Sequence, residues 1–284
     1  MPGNNRQDRP FGYPTSFLGS LKDRPEIYDP ALRHYPLPYR LGEPRFSEEQ
    51  GRLYWEVVQQ RAMTHLLSLT KAASWKDGPI LRGSVVLRHY LGIKARAPRD
   101  LDWLVLPTTW KPNSREARLF FDDVLSRLRR EPEFEGGEFQ PYDVLYDEIW
   151  VYDKTPGQRL VFPWQGPNLP RGLVQMDFAF QELMPTEPVL IHLPGVGAIR
   201  TASLEQCLAW KLFWLEKDSR PQGKDLYDAT LIAEHLSAAG TPYSFDLPDS
   251  LTDGMNWGEF TREYPAVKGD LQTWTQRLQA ALTL

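Results

Sequence analysis

Apolar residues recur at helical spacing through Leu53, Val57, Val58, Ala62, Leu66 and Leu67, which predicts an amphipathic helix running to about residue 74. Ser47 followed by Gln50 resembles the capping box that would start it. After Pro79 the pattern becomes a short strand over 80–82, a Gly83-Ser84 turn, and a second helix through Val85, Val86, Leu87 and Tyr90. Residues 101–106 form a strongly apolar strand with Asp100 and Asp102 at its start. Side chains two apart on a strand point the same way, so both carboxylates are aimed at one spot. A helix is expected over 115–130, then strands over 142–154, 159–164, 173–180 and 188–193, parted by Pro and Gly turns. From Ser203 the pattern is helical: 203–218, 223–239, about 257–264, and 271–282.

This order predicts an α/β (α+β) fold in which residues 46–200 build a mixed sheet with helices and residues 201–284 form a helical C-terminal half completing the site, with the catalytic cleft expected between them. Residues 1–45 are rich in Pro, Arg and Tyr and show neither period, which predicts an extended arm. No internal repeat is present.

Composition adds exclusions. The 284 residues are 41% hydrophobic and 25% charged, ordinary for a globular chain, and the net charge of -4 gives no global basic field for nucleic acid. Any basic surface must be local; Arg127, Arg129 and Arg130, with Arg33, Arg40 or Lys111, are candidates. The single cysteine, Cys207, excludes an internal disulfide and a cysteine-based zinc site, and five scattered His leave metal chemistry to oxygen ligands. The first residues lack the apolar stretch of a signal peptide and no run is long enough for a membrane span, so a soluble, cytoplasmic protein is expected.

The most informative stretch runs from Leu81-Arg82-Gly83-Ser84 to Asp100-Leu101-Asp102. Gly83 lets the backbone approach a ligand closely, and Ser84 at a helix N-terminus adds a hydroxyl to the amide donors there, which suits a triphosphate. Asp100 and Asp102 are the hard oxygen ligands that Mg²⁺ prefers beside substrate phosphates. Each half alone is common in unrelated proteins. A third carboxylate is expected on a neighbouring strand: Asp177, inside the apolar run Val174 to Phe180, is the first candidate and Asp143 the second. An acid within such a strand is expensive to bury unless paired or metal-bound. Lys211 sits among Leu208, Leu212 and Leu215, and a buried cation there needs a partner. Asp225 and Asp228 also fit the plain role of acids near the N-terminus of a helix, favoured by its dipole.

In this order the elements resemble the DNA polymerase beta nucleotidyltransferase superfamily. Arg82-Gly83-Ser84-Val85-Val86-Leu87 with Arg96-Ala97-Pro98-Arg99-Asp100-Leu101-Asp102 resembles, more narrowly, the AbiEii/AbiGii toxin family, with Pro98 where that family has Ser. Ser203-Leu204-Glu205 through Lys211, and Arg220 through Asp228, resemble two further family blocks, with Lys224 where Arg is usual. The resemblance spans about residues 47–235. It implies a polymerase beta-like core, an NTP substrate, and Mg²⁺ (or Mn²⁺) held by Asp100, Asp102 and Asp177. It also implies catalytic roles for Asp100, Asp102, Lys211 and Asp225, and nucleotide contacts from Arg82, Gly83, Ser84, Arg96, Lys211 and Lys224. Asp225 would accept the acceptor's proton or orient Lys211. The acceptor implied is the 3′ end of tRNA or another RNA, in a toxin of a toxin–antitoxin or phage-abortive system opposed by an antitoxin protein. Nucleotide transfer to a protein side chain, and a non-catalytic scaffold on the same fold, are the alternatives.

Overall fold

A computed structural model describes residues 11–17, 24–73, 78–151, 155–218, 220–241 and 251–283. Residues 1–10 and 18–23 of the expected arm, residue 74 of the first expected helix and residues 152–154 of an expected strand lie outside the described residues. The described chain falls into two compact units: residues 1–81, 98–183 and 190–200, and residues 82–97, 184–189 and 201–284.

In the first unit the arm carries a two-stranded antiparallel sheet, β1 (Glu26–Tyr28) with β2 (Tyr39–Leu41), and a single 3-10 turn at Pro30–Leu32. Helix α1 (Glu49–Lys71) follows. Its N-cap is Glu48, with no side-chain capping bond, so the Ser47/Gln50 capping box does not form. Its buried stripe is also rotated from the expected one: Trp55, Val58, Gln59, Ala62, Met63, Leu66 and Leu67 are buried, while Leu53 and Val57 are each 48% exposed. Trp55 sets this rotation. It stacks on Trp164 with ring centres 5.8 Å apart and donates its indole N–H to the Pro170 carbonyl at 3.0 Å, and the largest side chain of a stripe dominates the area to be buried.

The remaining elements run in chain order as β3 (Ile80–Arg82), α2 (Ser84–Leu91), β4 (Asp100–Leu104), α3 (Arg115–Arg130), β5 (Glu133–Phe134), β6 (Gly137–Phe139), β7 (Leu145–Val151), β8 (Thr155–Gln165), β9 (Gly172–Ala179), β10 (Val189–Leu193), β11 (Gly197–Thr201), α4 (Leu204–Lys217), α5 (Gly223–Ala238), α6 (Trp257–Glu263) and α7 (Leu271–Leu282). Among the described residues the large sheet has the order β10-β11-β3-β4-β9-β8-β6-β5, with β7 also paired to β8. It is mixed: β4 and β9 run parallel, whereas β8 is antiparallel to β9, β7 and β6. The fold is therefore mixed α/β, as the pattern predicts.

Strand alternation divides the two faces of this sheet. Leu101, Trp103, Met176 and Phe178 point to one face and are buried there. Trp103 stacks on Phe178, and Phe120 and Phe121 of α3 meet the Phe178 ring edge-on. Trp164, the partner of Trp55, belongs to the same face by register. Helices α1 and α3 thus cover one side, leaving Asp100, Asp102 and Asp177 on the other.

In the second unit α5 packs against α2, α4, α6 and α7. The Thr230 hydroxyl donates to the Leu226 carbonyl at 2.8 Å, and Arg277 of α7 pairs with Glu234 of α5 at 2.8 Å. Tyr227, Trp257, Phe260 and Trp274 form a continuous aromatic cluster between α5, α6 and α7. A Cβ on Gly223 would stand 2.7 Å from that of Phe260, so only glycine allows α6 this close to the start of α5. No described helix in either unit is long and apolar enough to cross a membrane.

Candidate active site

In the first unit Asp100 and Asp102 lie on the face of β4 turned away from α1 and α3, each partly exposed. The parallel register sets Asp102 opposite Asp177 of β9 and Asp100 opposite Gln175. Asp143, the other candidate for a third carboxylate, is not on a strand at all: it lies in the turn before β7, largely exposed, 3.3 Å from Arg171. The preceding Gln140-Pro141 segment turns the chain, and the Asp143 N–H donates to the Gln140 carbonyl at 3.0 Å. Register therefore aligns Asp177, and not Asp143, with the DxD pair.

The same row continues across the sheet. Arg159 of β8 faces Asp177, and Asp147 of β7 faces Arg159. Arg159 donates from Nε and Nη2 to the two Asp177 oxygens, both at 2.8 Å, and from Nη1 to Asp29 at 2.7 Å. Gln175 donates its amide to Asp177 at 3.1 Å. Burial pushes the Asp177 carboxyl above the usual carboxylate range; Arg159 pulls it back, and Asp29 and Asp100 add to the rise. Asp147 accepts the backbone N–H of Thr15 at 2.5 Å and of Ser16 at 3.0 Å, and the Tyr35 hydroxyl at 3.2 Å.

These residues bear on a divalent metal. Among the described residues no group of three or more His, Cys, Asp or Glu side chains is placed to hold a metal ion by itself, so Asp100, Asp102 and Asp177 are not a closed cage. Two hard, partly exposed carboxylates on one strand face, with a third engaged by Arg159, fit an ion that takes its other ligands from substrate phosphate and water, as Mg²⁺ does.

The second unit opens at Arg82, the last residue of β3, which leads through Gly83 straight into α2. Gly83 has φ 75° and ψ -153°, a region open in practice to glycine alone, and it serves as N-cap without a side-chain bond. The Ser84 hydroxyl, on the first helical residue, is buried and has no hydrogen-bond partner among the described residues. A buried hydroxyl left unsatisfied costs about 1–3 kcal/mol, so an orphan at a helix N-terminus is a place for an anion's oxygen. Arg82 is buried, with its guanidinium 4.9 Å from the centre of the Trp210 ring and 5.5 Å from that of Trp214. The two indoles are themselves parallel, one turn apart on α4.

Lys211 of α4 and Asp225 and Asp228 of α5 form a buried ionic cluster. The Lys211 ammonium donates to Asp225 at 2.6 Å and lies 3.0 Å from Asp228. Arg96 clamps Asp228 from Nε at 3.0 Å and Nη2 at 2.6 Å, and its Nη1 donates to the Tyr264 hydroxyl at 3.1 Å. Burial acts to lower the Lys211 pKa, but Asp225 and Asp228 outweigh it and hold the ammonium above its ordinary value. Burial acts to raise the Asp228 carboxyl, but Arg96 and Lys211 bring it down to about 2. Lys211 is oriented by its contacts with Asp225 and Asp228.

The structure thus places the sequence-derived residues in two sets. Asp100, Asp102 and Asp177 share one face in the first unit; Arg82, Gly83, Ser84, Arg96, Lys211, Lys224 and Asp225 belong to the second. Lys224 is half-buried in the first turn of α5. Arg127, Arg129 and Arg130 lie on α3, the helix on the sheet face opposite the carboxylates, so they form no basic surface beside them. Three residues were not in the sequence-derived set: Asp228, which reads as an ordinary acid near a helix N-terminus, and Arg159 and Asp29, whose pairing crosses 130 residues of chain. For Asp228 the signal was present, since it shares a block with Asp225; for Arg159 and Asp29 no local pattern exists.

The chain matches, over residues 65–246, the model of the family described as "Nucleotidyl transferase AbiEii toxin, Type IV TA system". No curated protein matches the chain.

Proposed function

Because the chain belongs to the AbiEii nucleotidyl transferase toxin family of type IV toxin–antitoxin systems, we propose that it moves a nucleoside monophosphate from an NTP to the 3′ end of a tRNA, in the cytoplasm, with release of pyrophosphate. Membership makes the protein a nucleotidyltransferase and a toxin with an antitoxin counterpart; the tRNA acceptor, Mg²⁺ and a role against phage are the finer part of the reading. The observation that carries the site assignment is the alignment of Asp102 with Asp177 beside Asp100 on the sheet face turned away from α1 and α3.

In this reading Asp100 and Asp102 would hold Mg²⁺, with Asp177, whose two oxygens accept from Arg159, completing the carboxylate face beside them. When bound, Mg²⁺ supplies positive charge against the phosphates and eases loss of the acceptor hydroxyl's proton. The protein's own groups do the rest. Asp100 and Asp102 present oxygens from one rigid strand, so their geometry needs little reorganisation when substrate arrives. In the second unit the bare backbone at Gly83 and the unpartnered Ser84 hydroxyl receive phosphate oxygens. Lys211, fixed by Asp225 and Asp228, keeps a third N–H to give to an anion. Asp225 acts through Lys211 and is a positioning residue. Arg96, whose guanidinium is spent on Asp228 and Tyr264, positions Asp228 in turn.

The test is incubation with each α-labelled NTP, Mg²⁺, total RNA and cell protein, beside an Asp102→Ala control. Label entering tRNA only with the unaltered protein is expected. Label entering protein would replace the acceptor, and no label under any donor or metal would overturn the catalytic reading.

A further inference from the structure

We propose that Asp29, in the N-terminal segment ahead of the family-matched region, is a positioning residue for the reaction: by taking one nitrogen of Arg159 it sets how far that guanidinium neutralises Asp177, and so how strongly the carboxylate face binds a divalent cation. The inference rests on the reading of Asp100, Asp102 and Asp177 as the metal-binding face. All the residues it uses lie in the first unit.

The geometry is a chain of charge. Arg159 is buried at 2% exposure and bridges two carboxylates, Asp29 at 2.7 Å and Asp177 at 2.8 Å. Alone, a bidentate Arg159–Asp177 pair would be neutral, with both Asp177 oxygens occupied, and would offer little to a cation. Asp29 changes this in two ways. Its negative charge offsets part of that of Arg159, so less positive charge faces Asp100 and Asp102. Its grip on Nη1 also fixes the guanidinium plane, which keeps Arg159 from reaching toward the DxD pair. Outer-shell partners of this kind orient metal-binding carboxylates and tune their affinity.

The segment is built to hold Asp29 there. Asp29 is the N-cap of the 3-10 turn Pro30–Leu32, accepting the Ala31 N–H at 3.0 Å, and Pro30 at the first position fixes the backbone that follows. The turn packs on β7. Farther along the same row, Asp147 accepts N–H groups from Thr15 and Ser16 and the Tyr35 hydroxyl, so residues on both sides of Asp29 are tied to the sheet independently. Arg40 stands 3.6 Å from the same Asp29 oxygen that accepts from Arg159 and competes with Arg159 for it.

The test is a Mn²⁺ titration of the full chain followed by electron paramagnetic resonance of free Mn²⁺, with thermal unfolding recorded on each variant. Asp29→Asn is nearly isosteric and is expected to weaken Mn²⁺ binding by about tenfold, and Asp29→Glu, which restores the charge, to recover most of the loss. Arg40→Gln, at a partly exposed position, is expected to act in the opposite direction and tighten binding by about twofold; it decides the matter if Asp29→Asn does not fold. Unchanged binding in Asp29→Asn or, should that not fold, in Arg40→Gln, while Asp102→Asn weakens it, would overturn the proposal and leave the site reading standing. Unchanged binding in Asp102→Asn would overturn the site reading itself, and the role of Asp29 with it.

Discussion

Asp102 and Asp177 stand opposite one another in the parallel β4–β9 register, so two carboxylates 75 positions apart in sequence share one sheet face with Asp100. Parallel neighbours present side chains at the same height on the same side. The face is backed by the Trp103–Phe178 stack, which makes the strands beneath the carboxylates stiff.

Asp102→Asn keeps the shape of the side chain and removes its charge. Nucleotidyl transfer is expected to fall by roughly a hundredfold or more, with the circular dichroism spectrum unchanged. A residual rate within about threefold of the unaltered protein would rule out Asp102 as a metal ligand.

Ser84→Ala removes a hydroxyl that has no partner among the described residues. Without nucleotide the variant should be as stable as the unaltered protein, or more so by up to about 1 kcal/mol, because no bond is lost and a buried polar atom disappears. With substrate the expectation reverses: the KM for NTP should rise by roughly three- to tenfold, one hydrogen bond's worth. Steady-state kinetics and urea unfolding on the same preparation separate the two effects.

Lys211→Met leaves Asp225 and Asp228 buried at 1% and 2% exposure with one cation fewer. Breaking a buried ion pair from one side costs about 3–5 kcal/mol. Equilibrium urea unfolding should show a loss of that order, and pairing the change with Asp225→Asn should cost much less than the two single losses added together.

Acid should expose the same cluster. The Asp228 carboxyl is lowered from 3.8 to about 2 in the folded chain, so the stability it contributes is present above the unfolded value near 4 and is lost as pH falls toward 2. The amount is on the order of 2 kcal/mol, from a shift of nearly two units. Lys211 is raised above its usual 10.5, so its contribution persists until pH climbs past that folded value. Stability measured between pH 5 and pH 2 should therefore fall more steeply in the unaltered protein than in Asp228→Asn.

What could be read from sequence follows from how local each signal is. Asp100 and Asp102 were legible because they alternate with Leu101 and Trp103 on one short strand, and Asp177 because an acid in an apolar strand demands a reason. Helix α3 was legible to the residue, since Ser114 caps it by accepting the Ala117 N–H and its apolar stripe is clean. Arg159 was not, for its two partners come from distant parts of the chain and leave no spacing to recognise. The rotation of α1 was missed because Leu53 and Val57 fit a helical period as well as Trp55 does, and only the presence of Trp164 chooses between them. The strands β5, β6 and β11 went unread since each is short and bounded by the same Gly and Pro residues that mark loops.

Residues 82–97 belong to one compact unit while the segments on either side of them belong to the other. Neither unit is therefore a single uninterrupted length of polypeptide. On the ribosome α2 emerges more than a hundred residues before α4 and α5, the helices it packs against, and must wait for them with its apolar side uncovered. A truncated product ending near residue 200 would carry the carboxylate strands but leave the Gly83-Ser84 turn without Lys211. This interleaving means that the Gly83-Ser84 turn and Lys211 can come together only after residues 204–217 have been made.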